Sequence, residues 1–188
     1  MSLSRVDWTR AALFALAERG TAGLAVEPLA AALGATKGSF YWHFRNRDEL
    51  VHEALALWER EGTDDIIEQL ERVNDPVERL RLTLEAAMDD ESEGETMPAD
   101  AALLAAAGEP LVAPVVRRVH DKRLVFLERC FRDMSLPPAE SRHRARIAYS
   151  VYLGWFRQLQ GRDGEPPSKH ERAAYERIAI ELLTAPRS

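Results

Sequence analysis

The sequence predicts an all-α chain, with a small N-terminal helix-turn-helix domain followed by a larger helical domain. Three observations lead there. Ala, Leu, Arg and Glu dominate, and no segment shows the apolar–polar alternation of a half-buried strand. Apolar residues recur at helical spacing from end to end, and Gly or Pro stands at nearly every join. Near the N-terminus two short helical segments meet at Leu33-Gly34-Ala35, the pattern of a helix-turn-helix.

Taken in order, Ser4 with Asp7 three residues on reads as an N-terminal cap, and the helix it opens runs to about Arg19, where Gly20 stops it. A second helix covers Val26 to Leu33 and ends at Gly34. Pro28 is tolerated there because it falls in the first turn, while Ala25 leaves the helix without a side-chain cap. Thr36 caps a third helix, Lys37 to about Phe44. Asn46 caps a fourth, with Glu49 at the third position completing a capping-box-like pair, and this helix is expected to continue to around Arg72. Further helices are expected over 75–88, 98–107, 111–134, 138–160 and 169–183, divided by Pro98, Pro110, Pro114, Pro137, Pro138, Pro166 and Pro167.

Bulk properties narrow the function classes. With 188 residues, 46% hydrophobic and 30% charged, the chain has the composition of a soluble globular protein. No run approaches the ~18–20 apolar residues of a membrane span. The first eight residues include an acid and an Arg where a signal peptide would be apolar. A single cysteine, Cys130, excludes an intramolecular disulfide and fits a reducing cytoplasm. The net charge is −6, yet residues 1–50 carry six bases and five acids, and 36–47 hold Lys37, His43, Arg45 and Arg47 with no acid. An acidic body with one local basic face is compatible with DNA.

The third helix concentrates the chemistry. Phe40 and Phe44 lie one turn apart and are expected in the core, with Lys37, Ser39, Tyr41 and His43 left to point outward. Trp42 reads as part of the same core-forming aromatic cluster. Gly38 inside a helix costs roughly 1 kcal/mol against Ala, a cost that makes sense where the backbone must approach another surface.

Residues 8–54 resemble the DNA-binding domain of TetR-family repressors. The resemblance rests on Phe14 in an Ala-rich first helix, Gly20 and Leu24, Leu29-Ala30 with Leu33-Gly34, and above all Thr36-Lys37-Gly38-Ser39-Phe40-Tyr41-Trp42-His43-Phe44 followed by Asn46-Arg47-Asp48-Glu49-Leu50. It implies that Lys37, Gly38 and Ser39 form the base-reading start of the recognition helix, with Thr36 before them also counted among the DNA-binding residues. Tyr41 and His43 match phosphate contacts, and Arg47 a backbone contact opening the fourth helix. Two positions depart from the pattern: Ala25 replaces a common Ser or Thr cap, and Glu27 puts an acid where a neutral or basic DNA contact is usual.

The division expected is a DNA-binding domain over 1–50 and a ligand-binding and dimerisation domain over 51–188. In the latter, Ile147 to Phe156 is apolar around most of its circumference, so it is buried on more than one side. By resemblance, the last two helices form a homodimer interface; the residues expected there are Tyr149, Val151, Gly154, Tyr175, Ile178 and Leu182. By the same resemblance a small-molecule pocket is expected among Trp58, Met88, Arg117, His120, Phe126, Cys130, Tyr152, Trp155 and Phe156, where the others also read as ordinary core and Arg117 with His120 as a solvated helix face. Arg117 and His120, one turn apart, suit an acidic ligand group. The acidic run over 89–95 reads as a solvated loop. No catalytic constellation, cofactor motif or paired-histidine metal spacing is found.

The function expected is therefore a cytoplasmic, non-enzymatic, ligand-responsive transcriptional regulator. It would be a dimeric repressor on an inverted-repeat operator, released by a small-molecule effector. An architectural DNA protein without a ligand, or an activator of the same family, remains the alternative.

Overall fold

The computed structural model describes residues 3–88, 97–160 and 168–185. Among them the regular structure is helical throughout, and the chain divides into two compact units: Met1–Asp65 with Ser92–Val119, and Ile66–Glu91 with His120–Ser188.

In the first unit, helix α1 (Arg5–Gly23) opens on a complete capping box, with Ser4 Oγ accepting from Asp7 N–H and the Asp7 carboxylate accepting from Ser4 N–H. Its regular course breaks at Gly20, whose φ of +66° is left-handed. Helix α2 (Val26–Ala32) begins at Ala25 without a side-chain cap, as the sequence implies. Gly34, at φ +62°, turns the chain into α3 (Lys37–His43), where Thr36 Oγ1 accepts from Ser39 N–H. Helix α4 (Arg47–Glu59) starts at Asn46, whose Oδ1 accepts from Glu49 N–H at 2.8 Å. Here the expected capping box is corrected. The Glu49 carboxylate accepts from Arg45 N–H and from Arg5, not from Asn46. The long helix expected to reach Arg72 is interrupted by one π-helical turn, Arg60–Asp64, before α5 (Asp65–Leu70).

One core fills this unit. Trp8, Leu13 and Leu16 of α1 pack with Phe40 of α3, with Phe44 just after it, and with Leu50, Leu55 and Trp58 of α4. The same cluster takes in Leu103 from α7 (Met97–Ala105), Val112 just before α8 (Ala113–Asp133), and Val115, Val116 and Val119 in the first turns of α8. Polar ties reinforce it: the buried Trp58 Nε1–H donates to the Asp100 carboxylate, and Arg118 holds Glu59 through two nitrogens at 2.7 and 3.1 Å. The expected boundary at residue 50 therefore does not coincide with a break in the packing. Leu50, Val51, Ala54 and Leu55 are all fully buried in the core that also fixes α3.

The second unit contains α6 (Pro76–Met88), the later part of α8, α9 (Pro138–Gln160) and α10 (Lys169–Thr184), with α9 and α10 each packed on α6 and on one another. Leu70, Phe126 and Cys130 form one cluster with Ile66, Ile67 and Leu82 against it. Arg144 donates to the carbonyls of Leu183 and Ala185 and pairs with Glu140, tying the start of α9 to the end of α10. The acidic run over 89–95 lies outside the described residues.

Replacing Phe44, buried to 2% exposure and stacked on Phe40 at 5.5 Å, with Ala is expected to destabilise the chain by about 3–5 kcal/mol. Urea denaturation of the full-length protein measures this, and an effect below about 1 kcal/mol would contradict the packing described.

Candidate nucleic-acid interface

A helix of seven residues does not hold its shape in water alone, so α3 must be fixed from outside. Its inner face does this: Phe40 is fully buried edge-on to Trp8, with centroids 5.6 Å apart, and Phe44 lies one turn on. Its end is held by Arg5, whose guanidinium donates to the His43 carbonyl, lies 4.3 Å over the Phe44 ring and pairs with Glu49 and Glu53. One side chain thus joins the start of α1, the last turn of α3 and the first turns of α4. Nothing local in the sequence marks Arg5 for this, since its partners lie 38 to 48 residues away.

The opposite face is free to meet something else. Lys37, Gly38 and Tyr41 are exposed, and Ser39 and His43 are half-buried. Trp42 is 89% exposed, which corrects its reading as core. The helical spacing that carries Phe40 and Phe44 inward turns position 42 outward, a signal already legible in the period. Gly38 meets no constraint inside the chain: a Cβ there would find only Thr36 Oγ1, at 3.7 Å. The fold itself gives no reason for glycine at this point.

Charges on this face are organised. Lys37 Nζ donates to Glu27 Oε1 at 2.7 Å, so the acid on α2 is turned onto the first residue of α3. That hydrogen bond and the attraction between the charges lower the Glu27 carboxyl and raise the Lys37 ammonium from their ordinary pKa values. Arg45 is exposed. Arg47, expected as a DNA-backbone contact, is engaged inside the unit. Its Nε donates to the Leu24 carbonyl at 2.7 Å, another nitrogen donates to the Thr21 carbonyl, and a third pairs with Asp48 at 3.1 Å. It closes the open carbonyls at the end of α1 against the start of α4.

The residues proposed for a ligand pocket are distributed between the units. Trp58 and the exposed Arg117 belong to the first. In the second, Met88, Phe126, Cys130, Tyr152 and Trp155 are buried. The half-buried His120 meets Tyr149 edge-on at 4.9 Å, Tyr149 stacks on Tyr152 at 5.6 Å, and Arg123 donates to the Tyr152 hydroxyl at 2.8 Å. Burial pushes the Cys130 thiol up to about 11. The Phe156 side chain lies outside the described residues.

Of the residues expected at a dimer interface, Tyr149 is covered by its own chain, and Tyr175 packs on Trp155 at 5.0 Å. Val151 and Gly154 are half-buried, whereas Ile178 and Leu182 stand out into solvent, Leu182 at 73% exposure, with Ile147 of α9 also exposed.

Residues 9–54 match the family model of bacterial regulatory proteins, tetR family. No match was found among curated protein sequences. Solved structures share the fold over nearly the whole chain. A TetR-family transcriptional regulator from Agrobacterium tumefaciens is 18% identical, with a TM-score of 0.78 over 96% of this chain and 97% of its own. AibR in complex with isovaleryl coenzyme A and operator DNA is 18% identical, with a TM-score of 0.73 over 97% and 99%. A regulator from Saccharomonospora viridis in complex with choline is 16% identical, with a TM-score of 0.77 over 93% and 94%.

The junction held by Arg5 carries a pH signature. Hydrogen bonds from the Arg5 side chain, then from Arg45 N–H, hold the Glu49 carboxyl below its ordinary value of 4.5. A carboxyl lowered by folding contributes stability that is present above 4.5 and lost as pH falls through the lowered value. The stability deficit of Arg5→Met against wild type should therefore be greatest at neutral pH and shrink on acidification below 4.5, in urea titrations where both remain folded. A deficit constant with pH would contradict the assignment.

Proposed function

We propose that this chain, which carries the TetR-family DNA-binding domain at residues 9–54, is a ligand-responsive transcriptional regulator. It occupies an inverted-repeat operator as a homodimer and is released by a small molecule. The observation that carries the reading is the two-sided nature of α3: both phenylalanines locked in the core, and Lys37, Gly38, Tyr41, Trp42 and His43 presented outward. In a helix-turn-helix the start of the second helix reaches base edges in the major groove while its remaining polar groups contact phosphates.

Thr36, Lys37, Gly38 and Ser39 are accordingly assigned to the groove floor, and Tyr41 and His43 to phosphate oxygens. Trp42 joins them, its exposed ring suited to apolar contact with a thymine methyl or the sugar edge. Arg47 acts as a strut that fixes the angle between α1 and α4. Two copies of α3 reach half-sites about one helical turn (roughly 34 Å) apart when the chain pairs through α9 and α10. The exposed Ile147, Ile178 and Leu182 support that pairing.

The effector belongs in the second unit, where Tyr149, Tyr152, His120 and Arg123 set aromatic surface beside cationic and polar groups. The similar structures in complex with isovaleryl coenzyme A and with choline support a small-molecule effector for this chain. The π turn Arg60–Asp64 and helix α8 carry continuous backbone from one unit into the other, a route for coupling of about 1–3 kcal/mol between ligand and DNA. The proposed setting is the cytoplasm, with no catalytic step.

Selection from a random duplex library by the purified full-length chain tests this. An inverted repeat should be enriched, with Tyr41→Ala, Trp42→Ala and His43→Ala each weakening binding by about tenfold, on the order of one lost contact. Gly38→Ala should stabilise the free protein by up to about 1 kcal/mol and yet weaken operator binding. Weak, sequence-independent binding indifferent to these substitutions would overturn the reading.

A further inference from the structure

We infer that Glu27 and Lys37 act as one charge-compensated reading unit that recognises a G·C pair in each half-site. The inference rests on the DNA-binding reading above and assigns one base pair within it.

The pair joins the first turn of α2 to the first residue of α3, with Nζ and Oε1 2.7 Å apart and side chains 54% and 71% exposed. An ion pair so open to water adds little to folding, so stability does not account for it. In a helix-turn-helix the first helix crosses the DNA backbone, where a lone carboxylate would face phosphates and be repelled. Lys37 instead draws the Glu27 carboxylate toward the reading end of α3. There the two groups retain unused capacity. The ammonium has three hydrogens, one of them committed to Oε1, and the carboxylate keeps Oε2 and further lone pairs. The unit thus presents donors and an acceptor side by side.

That combination matches one kind of base-pair edge best. In the major groove guanine offers O6 and N7 as acceptors, and the cytosine paired with it offers the N4 amine beside O6. The Lys37 ammonium can take both guanine acceptors while Glu27 accepts from N4. An A·T pair also places an amine beside a carbonyl, but thymine backs its O4 with a methyl group rather than a second acceptor. The unit is electrically neutral as a whole, so it favours the right base without adding attraction to phosphate at large.

The test repeats the duplex selection with full-length wild type, Glu27→Gln and Lys37→Ala, following affinity against salt for each. Wild type should enrich an inverted repeat with one invariant G·C pair in each half, near the contact of the α3 start. Glu27→Gln should keep the repeat but lose about tenfold discrimination at that pair. With Lys37 released toward phosphate, binding to random duplex should strengthen and the salt slope steepen by about one charge per protomer. Lys37→Ala, which leaves the carboxylate unpaired, should weaken binding to every duplex. If wild type enriches a repeat and Glu27→Gln enriches the same one with unchanged preference at every position and the same salt slope, the reading unit is overturned and the regulator reading stands. If wild type enriches no repeat, both fall.

Discussion

The structure depends on the burial of one face of a helix too short to stand alone. Helix α3 has seven residues, and its conformation is set by Phe40 and Phe44 in the core of the first unit and by Arg5 on its last carbonyl. Because the inner face and the end are both fixed, the outer face needs no role in folding. It can carry a glycine, an exposed tryptophan and an acid–base pair that the fold does not require. The division of labour is physical: apolar area holds the helix in place, and polar groups are left facing outward.

The same core explains why α3 and the helices that follow it do not pack as separate pieces. Leu50, Leu55 and Trp58 of α4, Leu103 of α7 and the valines opening α8 share the cluster that receives Phe40. Glu59 with Arg118, and Trp58 with Asp100, lock these helices by charge-assisted and buried hydrogen bonds. A change in the course of α4 or of the start of α8 therefore reaches the base of α3 through close-packed side chains, which shift as a unit rather than yield locally. Both helical paths run on into the second unit, α4 through its π turn and α8 without interruption.

Much of this was legible in the sequence wherever the deciding interaction is local. Ser4 with Asp7, Thr36 with Ser39 N–H and Asn46 with Glu49 N–H all lie three residues from their partners; the left-handed Gly20 breaks the regular course of α1, and the left-handed Gly34 follows the end of α2. The inward turn of Phe40 and Phe44 follows from helical period. Other features depend on partners that no local pattern specifies. Arginine reaches any acceptor its fork can meet, so nothing near Arg5 points to His43, Glu49 and Glu53, and nothing near Arg47 points to the carbonyls of Thr21 and Leu24. The aromatic character of Trp42 points to the core, yet its place in the helical period turns it to solvent. Glu27 is held by Lys37, ten residues away across the turn, a partner that no local pattern names.

On the function proposed for this chain, the α2–α3 surface, pinned from behind by Phe40 and Phe44, is where it meets DNA. Amide hydrogen exchange of the full-length protein, with and without a bound duplex, tests it most directly. The account predicts slowed exchange concentrated over residues 26–47, with the surfaces of α9 and α10 unchanged. Protection confined to the second unit, with residues 26–47 exchanging as in the free protein, would contradict it.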